Sequence, residues 1–287
     1  MKILICGHRA YAAKGLVGML EDKGHDVLCF SRGELKKDKN IITGNVLEVG
    51  DNHYLTDEHI EVIVNFILLD GESVNKNIEY ASSLCKLARK VGANRIIHMS
   101  SVSCYANECN YINENTHIDK HPELKGYYGM VKIMVDNYIL GHADTFKVVM
   151  MRPGFIIAKD KKNSLAGIAK VLPMGIAVLM GDKKSTLPII KRSDLHKAIV
   201  SAAEDENPLN VYLLVDKGNN TKLDYLKSVN GKLRVISLNK DLVMFAAKIL
   251  KIVHVFDEKK YKMVEGLFKV QQFDSQRTWQ MVADVGE

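Results

Sequence analysis

Over its first two-thirds the chain alternates short aliphatic runs with longer segments of helical spacing, and this alternation narrows the fold more than any other feature. The runs at residues 2–6, 26–30, 62–66, 95–99 and 147–151 are rich in Ile, Val, Leu and Met. Such runs read as buried strands. Between them, residues 14–22, 74–91 and 128–140 place apolar side chains at helical spacing. Strand and helix in alternation join parallel strands by right-handed crossovers. The expected fold class is therefore α/β, a Rossmann-like doubly wound parallel sheet whose ligand site lies beyond the carboxyl ends of its strands.

After Arg152-Pro153-Gly154 the pattern weakens and lysines accumulate. A nucleotide-type domain at 1–155, with parts of 190–220, and a smaller C-terminal substrate lobe at 156–190 and 220–287 are expected. Ser193 or Asp194 is placed to cap a helix running to about Glu204, 211–215 suits a strand, and the stretches around 241–253 and 274–283 suit helices. Composition removes several classes of function. A formal charge of +6 on 287 residues is too mild for a nucleic-acid binder. Five cysteines without regular spacing argue against a disulfide scaffold and for a reducing, cytoplasmic setting. The apolar run at 1–6 leads straight into Gly7 and is a strand rather than a signal segment. The longest later apolar stretch, 242–256, is interrupted by Lys248, Lys251 and His254, so neither a membrane span nor a membrane partner is expected.

Chemistry is then sought at the strand ends. Gly7-His8-Arg9-Ala10-Tyr11-Ala12-Ala13 follows the first run, where a dinucleotide fold presents backbone N–H groups to a pyrophosphate. Of a Gly-x-x-Gly-x-x-Gly pattern only Gly7 survives; Ala10 stands where backbone and phosphate approach most closely. The second run ends in Phe30-Ser31-Arg32-Gly33. An NAD site usually carries a carboxylate there for the ribose 2′-OH. Arg32, together with Arg9, would instead flank a 2′-phosphate, so NADP is favoured over NAD; two solvated arginines are the plain alternative.

After the fourth run comes Ser100-Ser101-Val102-Ser103-Cys104-Tyr105, and further on Tyr128-Gly129-Met130-Val131-Lys132. Tyr128 and Lys132, four apart, share a helix face. An adjacent ammonium is expected to lower the pKa of the phenol, letting Tyr128 exchange a proton with a carbonyl or carbinol whose oxygen Ser101 holds. Lys132 would also reach the nicotinamide ribose. Cys104, Cys109, His117 and His121 have a metal-like look, but the spacing does not match a zinc site, and no metal is expected.

At these residues the sequence resembles the extended short-chain dehydrogenases/reductases of the NAD-dependent epimerase/dehydratase type, which act on nucleotide sugars; the resemblance covers about residues 1–200. Ser101 stands four before Tyr105, as the family's catalytic Ser or Thr does, and Asp136 matches an acidic residue four after the Lys. The resemblance further implies cofactor contacts at Tyr11 and Ala12, at Asn45 and Val46, at Phe66 and Ile67 beside the nicotinamide, at Asn77, and at Pro153. It implies substrate contacts at Ser103, Arg152 and Gly154. Gly7-His8-Arg9 is similar to the NADP-binding turn of GDP-fucose synthase. Family dehydratases carry an Asp-Glu pair after the catalytic Thr, where this chain has Val102 and Ser103. The implied activity is NADPH-dependent reduction of a keto nucleotide sugar, with 4-epimerisation on bound NAD as one alternative and a non-catalytic NADP-binding regulator as another. The family's helix pair equivalent to 74–91 and 128–140 implies a homodimer. Between Lys159 and Arg192 eight basic residues face two acidic ones, an excess equal to that of the whole chain. That segment is a candidate cradle for a sugar-nucleotide pyrophosphate, with Lys162 and Arg192 the proposed contacts.

Overall fold

The computed structural model describes residues 1–158, 169–179, 181–216, 221–266, 268 and 270–284. Its main sheet has eight strands: β1 (Lys2–Cys6), β2 (Asp26–Arg32), β3 (Lys36–Asp38), β4 (Ile41–Gly44), β5 (Val62–Asn65), β6 (Arg95–Met99), β7 (Lys147–Pro153) and β8 (Val211–Leu214). They lie in the order β8-β7-β6-β5-β1-β2-β4-β3. All pairings are parallel except the β3–β4 edge. Helices are α1 (Leu16–Asp22), α2 (His53–Thr56), α3 (Val74–Val91), α4 (Tyr127–Gly141), α5 (Arg192–Glu204), α6 (Lys222–Val229), α7 (Lys240–Ile252), α8 (Glu258–Gly266) and α9 (Gln276–Asp284).

Strand side chains alternate between two cores, as the two-residue period demands. Leu4, Leu28, Phe30, Ile63, Ile96 and Val148 pack with α3 and α4; Ile3, Ile5, Val27, Val64, Ile97 and Val149 pack with α1, α5 and α9. The sheet is thus doubly wound, as expected. The outward residues of α3 include Lys76, Glu79, Lys86, Arg89 and Lys90, whereas α4 leaves Tyr127 and Leu140 exposed and Met130 and Met134 half-buried. Strand order reverses between β1 and β5, which opens a crevice beyond their carboxyl ends.

Beyond β7, strands at Ala169–Leu172, Ile176–Leu179 and Arg234–Ser237 make a three-stranded sheet. Its Ala177 and Leu179 pack with Tyr225 and Leu226 of α6, and with Phe155 and Ile157.

Three local expectations need correction. Helix α1 begins at Leu16 rather than residue 14, after a 3-10 turn at Tyr11–Ala13 and a left-handed Gly15. Helix α5 begins at Arg192 because the strand Ile189–Lys191 runs straight into it; Lys191 occupies the N-cap without a side-chain bond, and Asp194 sits in the first turn. The β3–β4 hairpin was not anticipated: Lys36-Lys37-Asp38 is exposed, and charge at a sheet edge blunts further pairing.

Candidate active site

The crevice holds two adjoining clefts. The first, about 580 Å³, is lined by Ala10, Tyr11 and Ala12 after β1, Phe66 and Leu68 after β5, Ser101 after β6, Tyr128 and Lys132 of α4, and Pro153 to Ile156 at the end of β7. The second, about 490 Å³, is lined by Gly7, Arg9, Ala10, Arg32, Asn45, Val46, Ile67, Asp70 and Lys76 among others. Ala10, Phe66 and Leu68 border both, so together they form one trench across the switch point.

Gly7 makes the trench possible. Its φ of +84° is left-handed, and a Cβ there would stand 2.9 Å from the Ile67 side chain. Only glycine meets both constraints. Arg9 and Arg32 enter no ion pair among the described residues, whereas Lys76 is paired with Glu72 at 2.8 Å. His8 Nδ1 and Ser31 Oγ are buried without a hydrogen-bond partner among the described residues. Asn45 accepts from Leu47 N and so caps the turn that carries Val46.

In the first cleft, α4 puts Tyr128 and Lys132 one turn apart, with Nζ 5.9 Å from the phenol ring centroid. Lys132 is buried and donates to the Met99 carbonyl at 2.5 Å. Ser101 accepts from Ser103 N at 3.2 Å. The expected lowering of the Tyr128 pKa does not occur. Desolvation of the hydroxyl pushes it above its ordinary 10, and the hydrogen bond from the Ser101 side offsets only part of this. Lys132 is itself desolvated and shifted down, with its ammonium turned to a backbone carbonyl.

Behind this pair lies a buried polar network. Asp136 accepts from Ser100 Oγ at 2.6 Å and faces Arg152 at 3.8 Å. Asn65 Oδ1 accepts from Tyr80 OH and Ile67 N, so Asn65 Nδ2 is the donor to His98 Nδ1 at 3.0 Å. His98 therefore carries its proton on Nε2, aimed at Asp136 Oδ1 3.6 Å away. Burial pushes the His98 pKa well below its ordinary value.

Other expected residues lie off the trench. Asn77 is buried in α3, where its amide bonds Leu69 N, Leu69 O and Ser73 O; it pins the loop after β5. The Arg152 guanidinium is buried against Asp136 and stacks on Tyr105 at 5.1 Å. Ser103 stands behind Ser101. Arg192 lies over the Tyr11 ring at 5.1 Å and lines, with Lys14, Lys191 and His196, a separate cleft of about 570 Å³. Lys162 lies outside the described residues. Gly154 borders the first cleft, where a Cβ would come 2.3 Å from the Pro188 carbonyl oxygen. Sequence reasoning missed Leu68, Phe155, Ile156, Asp70 and Lys76; their signal was position, since each follows a strand's carboxyl end or opens the next helix.

The model of the NAD dependent epimerase/dehydratase family matches residues 3–212. No curated protein sequence matches the chain. Among solved structures, gox2253 superposes with a TM-score of 0.75 at 15% identity, covering 98% of this chain and 92% of that one. The UDP-glucuronic acid 4-epimerase from Bacillus cereus, in complex with NAD, gives 0.70 at 15% identity over 99% and 91%. Human epimerase family protein SDR39U1 (isoform 2), with NADPH, gives 0.59 at 16% identity over 98% and 93%. At these identities the likeness is one of fold.

Proposed function

The chain belongs to the NAD dependent epimerase/dehydratase family, and we propose that within it the protein is an NADPH-dependent reductase of a keto nucleotide sugar with the carbonyl at position 4. The observation that carries this reading is the trench, in which Ser101, Tyr128 and Lys132 share a cleft continuous with one bordered by Arg9 and Arg32.

The residues present suit a nicotinamide dinucleotide. Gly7, Ala10 and Ala12 would hold its pyrophosphate, Asn45 and Val46 its adenosine, and Phe66, Pro153 and Lys132 its nicotinamide riboside. Arg9 and Arg32, unpaired among the described residues, would hold a 2′-phosphate by charge-assisted bonds. When bound, the cofactor supplies a hydride to the carbonyl carbon. Tyr128 delivers the proton to the carbonyl oxygen, and Ser101 keeps that oxygen in line by a hydrogen bond. Arg192, stacked on the Tyr11 that lines the first cleft, would attract the substrate's pyrophosphate.

The second reading, 4-epimerisation on bound NAD, is favoured by the likeness to an epimerase solved with NAD. One assay separates the two. Mixed with a 4-keto-6-deoxy nucleotide sugar, the purified protein should oxidise one NADPH per sugar reduced, whereas an epimerase interconverts sugars with no net cofactor use. Tyr128→Phe should cut turnover roughly 100- to 10,000-fold while leaving NADPH affinity unchanged. Arg32→Ala should weaken NADPH roughly 10- to 100-fold, corresponding to about 1.5–3 kcal/mol for a charged hydrogen bond, and leave NADH untouched. Full activity in Tyr128→Phe would defeat the role given to Tyr128, whereas unchanged cellular function in a Tyr128→Phe, Lys132→Ala double variant would favour a regulator.

A further inference from the structure

Helix α4 meets the end of β6 at three successive turns. Tyr128 faces the Ser101 side chain, Lys132 Nζ donates to the Met99 carbonyl at 2.5 Å, and Asp136 Oδ2 accepts from Ser100 Oγ at 2.6 Å. Positions four apart share a helix face, so one stripe of α4 grips Met99, Ser100 and Ser101. Tyr128 and Lys132 line the first cleft. Asp136 lines neither cleft and lies fully buried behind them.

What Asp136 does there follows from charge. Lys132, Asp136, His98 of β6 and Arg152 of β7 are all buried. His98 is neutral, its Nδ1 accepting from Asn65 Nδ2 and its Nε2 turned to Asp136 Oδ1. Burial pushes the Cys104 thiol, after β6, up to about 12 and holds Tyr128 above its ordinary value, so neither ionises near neutral pH. Two cations, Lys132 and Arg152, then share one anion, Asp136. Burial pushes the Asp136 carboxyl up, while Arg152 at 3.8 Å, the Ser100 hydrogen bond and Lys132 act the other way. In return, Asp136 is the one carboxylate among the described residues that supports the Lys132 charge against desolvation. A buried ammonium without an opposite charge tends to give up its proton.

We propose that Asp136 is a positioning residue: from behind the cleft it keeps the Lys132 ammonium charged and, through Ser100, fixes the strand end that carries Met99 and Ser101. The proposal rests on the roles given above to Ser101, Tyr128 and Lys132. Its two parts separate by mutation. Asp136→Asn keeps an acceptor for Ser100 Oγ and removes the charge, whereas Ser100→Ala keeps the charge and removes the bond.

Lysine labelled with 13C at Cε reads the first part directly, in the protein without cofactor or substrate. The Lys132 resonance, assigned by its loss in Lys132→Met, should titrate about 1–3 pH units lower in Asp136→Asn than in the parent, the range expected when an adjacent opposite charge is removed. In Ser100→Ala it should titrate as in the parent. The alkaline limb of NADPH oxidation should move down with the titration in Asp136→Asn, while Ser100→Ala lowers the rate by a similar factor at every pH. Should Asp136→Asn not fold, Asp136→Asn with Arg152→Gln removes one buried ion of each sign and carries the same titration. The proposal is overturned if Lys132 titrates at the parent's pH once the carboxylate charge is gone, or if Asp136→Asn lowers the rate equally at every pH. A parent that consumes no NADPH with the keto sugar defeats the reductase reading instead, and the lysine titration still decides the role of Asp136.

Discussion

His98 is 1% exposed between Asn65 and Asp136, and its burial keeps it neutral in the folded chain. The unfolded chain takes up that proton near the ordinary value of 6.5, so below about pH 6.5 the unfolded state binds more protons than the native one. Stability is then lost as pH falls, by up to about 1.4 kcal/mol per pH unit. His196, lowered by burial as well, adds in the same sense. Thermal midpoints measured from about pH 7.5 down to about pH 5.5 should fall, and His98→Gln should flatten the slope; a level profile in the parent would contradict the assignment. At this scale the site was legible where it is local. Tyr128 and Lys132 meet because four residues make about one helical turn. The direction of the Tyr128 shift was not legible, because it follows from how many protein atoms crowd the hydroxyl, and those atoms come from distant segments.

The loop from Phe66 to Ser73 borders both halves of the trench, and it is held by a side chain from the following helix. Asn77 satisfies both polar groups of Leu69 and the carbonyl of Ser73. Asn77→Ala leaves the Leu69 N–H without its acceptor, while Leu69 O keeps Glu72 N and Ser73 O keeps the backbone N–H of residue 77; it should cost about 1–3 kcal/mol, measured by urea denaturation, while weakening cofactor binding through the displaced loop. A variant that lost cofactor affinity at full stability would instead make Asn77 a direct contact, the role its resemblance implied. The same scale separates readable elements from unreadable ones. Helix α3 runs from Val74 to Val91 as its periodicity predicts, with Ser73 capping Lys76 N. The β3–β4 hairpin has neither apolar alternation nor strand propensity in Lys36-Lys37-Asp38, and it exists because β4 finds Cys29 to Arg32 of β2 to pair with.

Across the whole molecule the cysteines report how completely the interior excludes water. Burial pushes the Cys6 and Cys104 thiols up to about 12 and those of Cys29 and Cys85 to about 11, so they are inert near neutral pH. Cys109 is half-buried and free. A thiol reagent at neutral pH should therefore titrate one cysteine in the native protein and all five after denaturation; rapid labelling of more than one would mean that a core opens readily. The sequence by itself determined which segments become strands and helices around the parallel sheet, and which three residues share its carboxyl edge, because periodicity and helical spacing are properties of neighbours along the chain. Tertiary structure alone decided that Arg152 answers Asp136, that Asn77 pins a loop, that Tyr128 holds its proton, and that Arg192 stacks on Tyr11 while Lys14 lines the cleft beside it. Each of these depends on desolvation and on distances between residues far apart in sequence, and such distances exist only once the chain has folded.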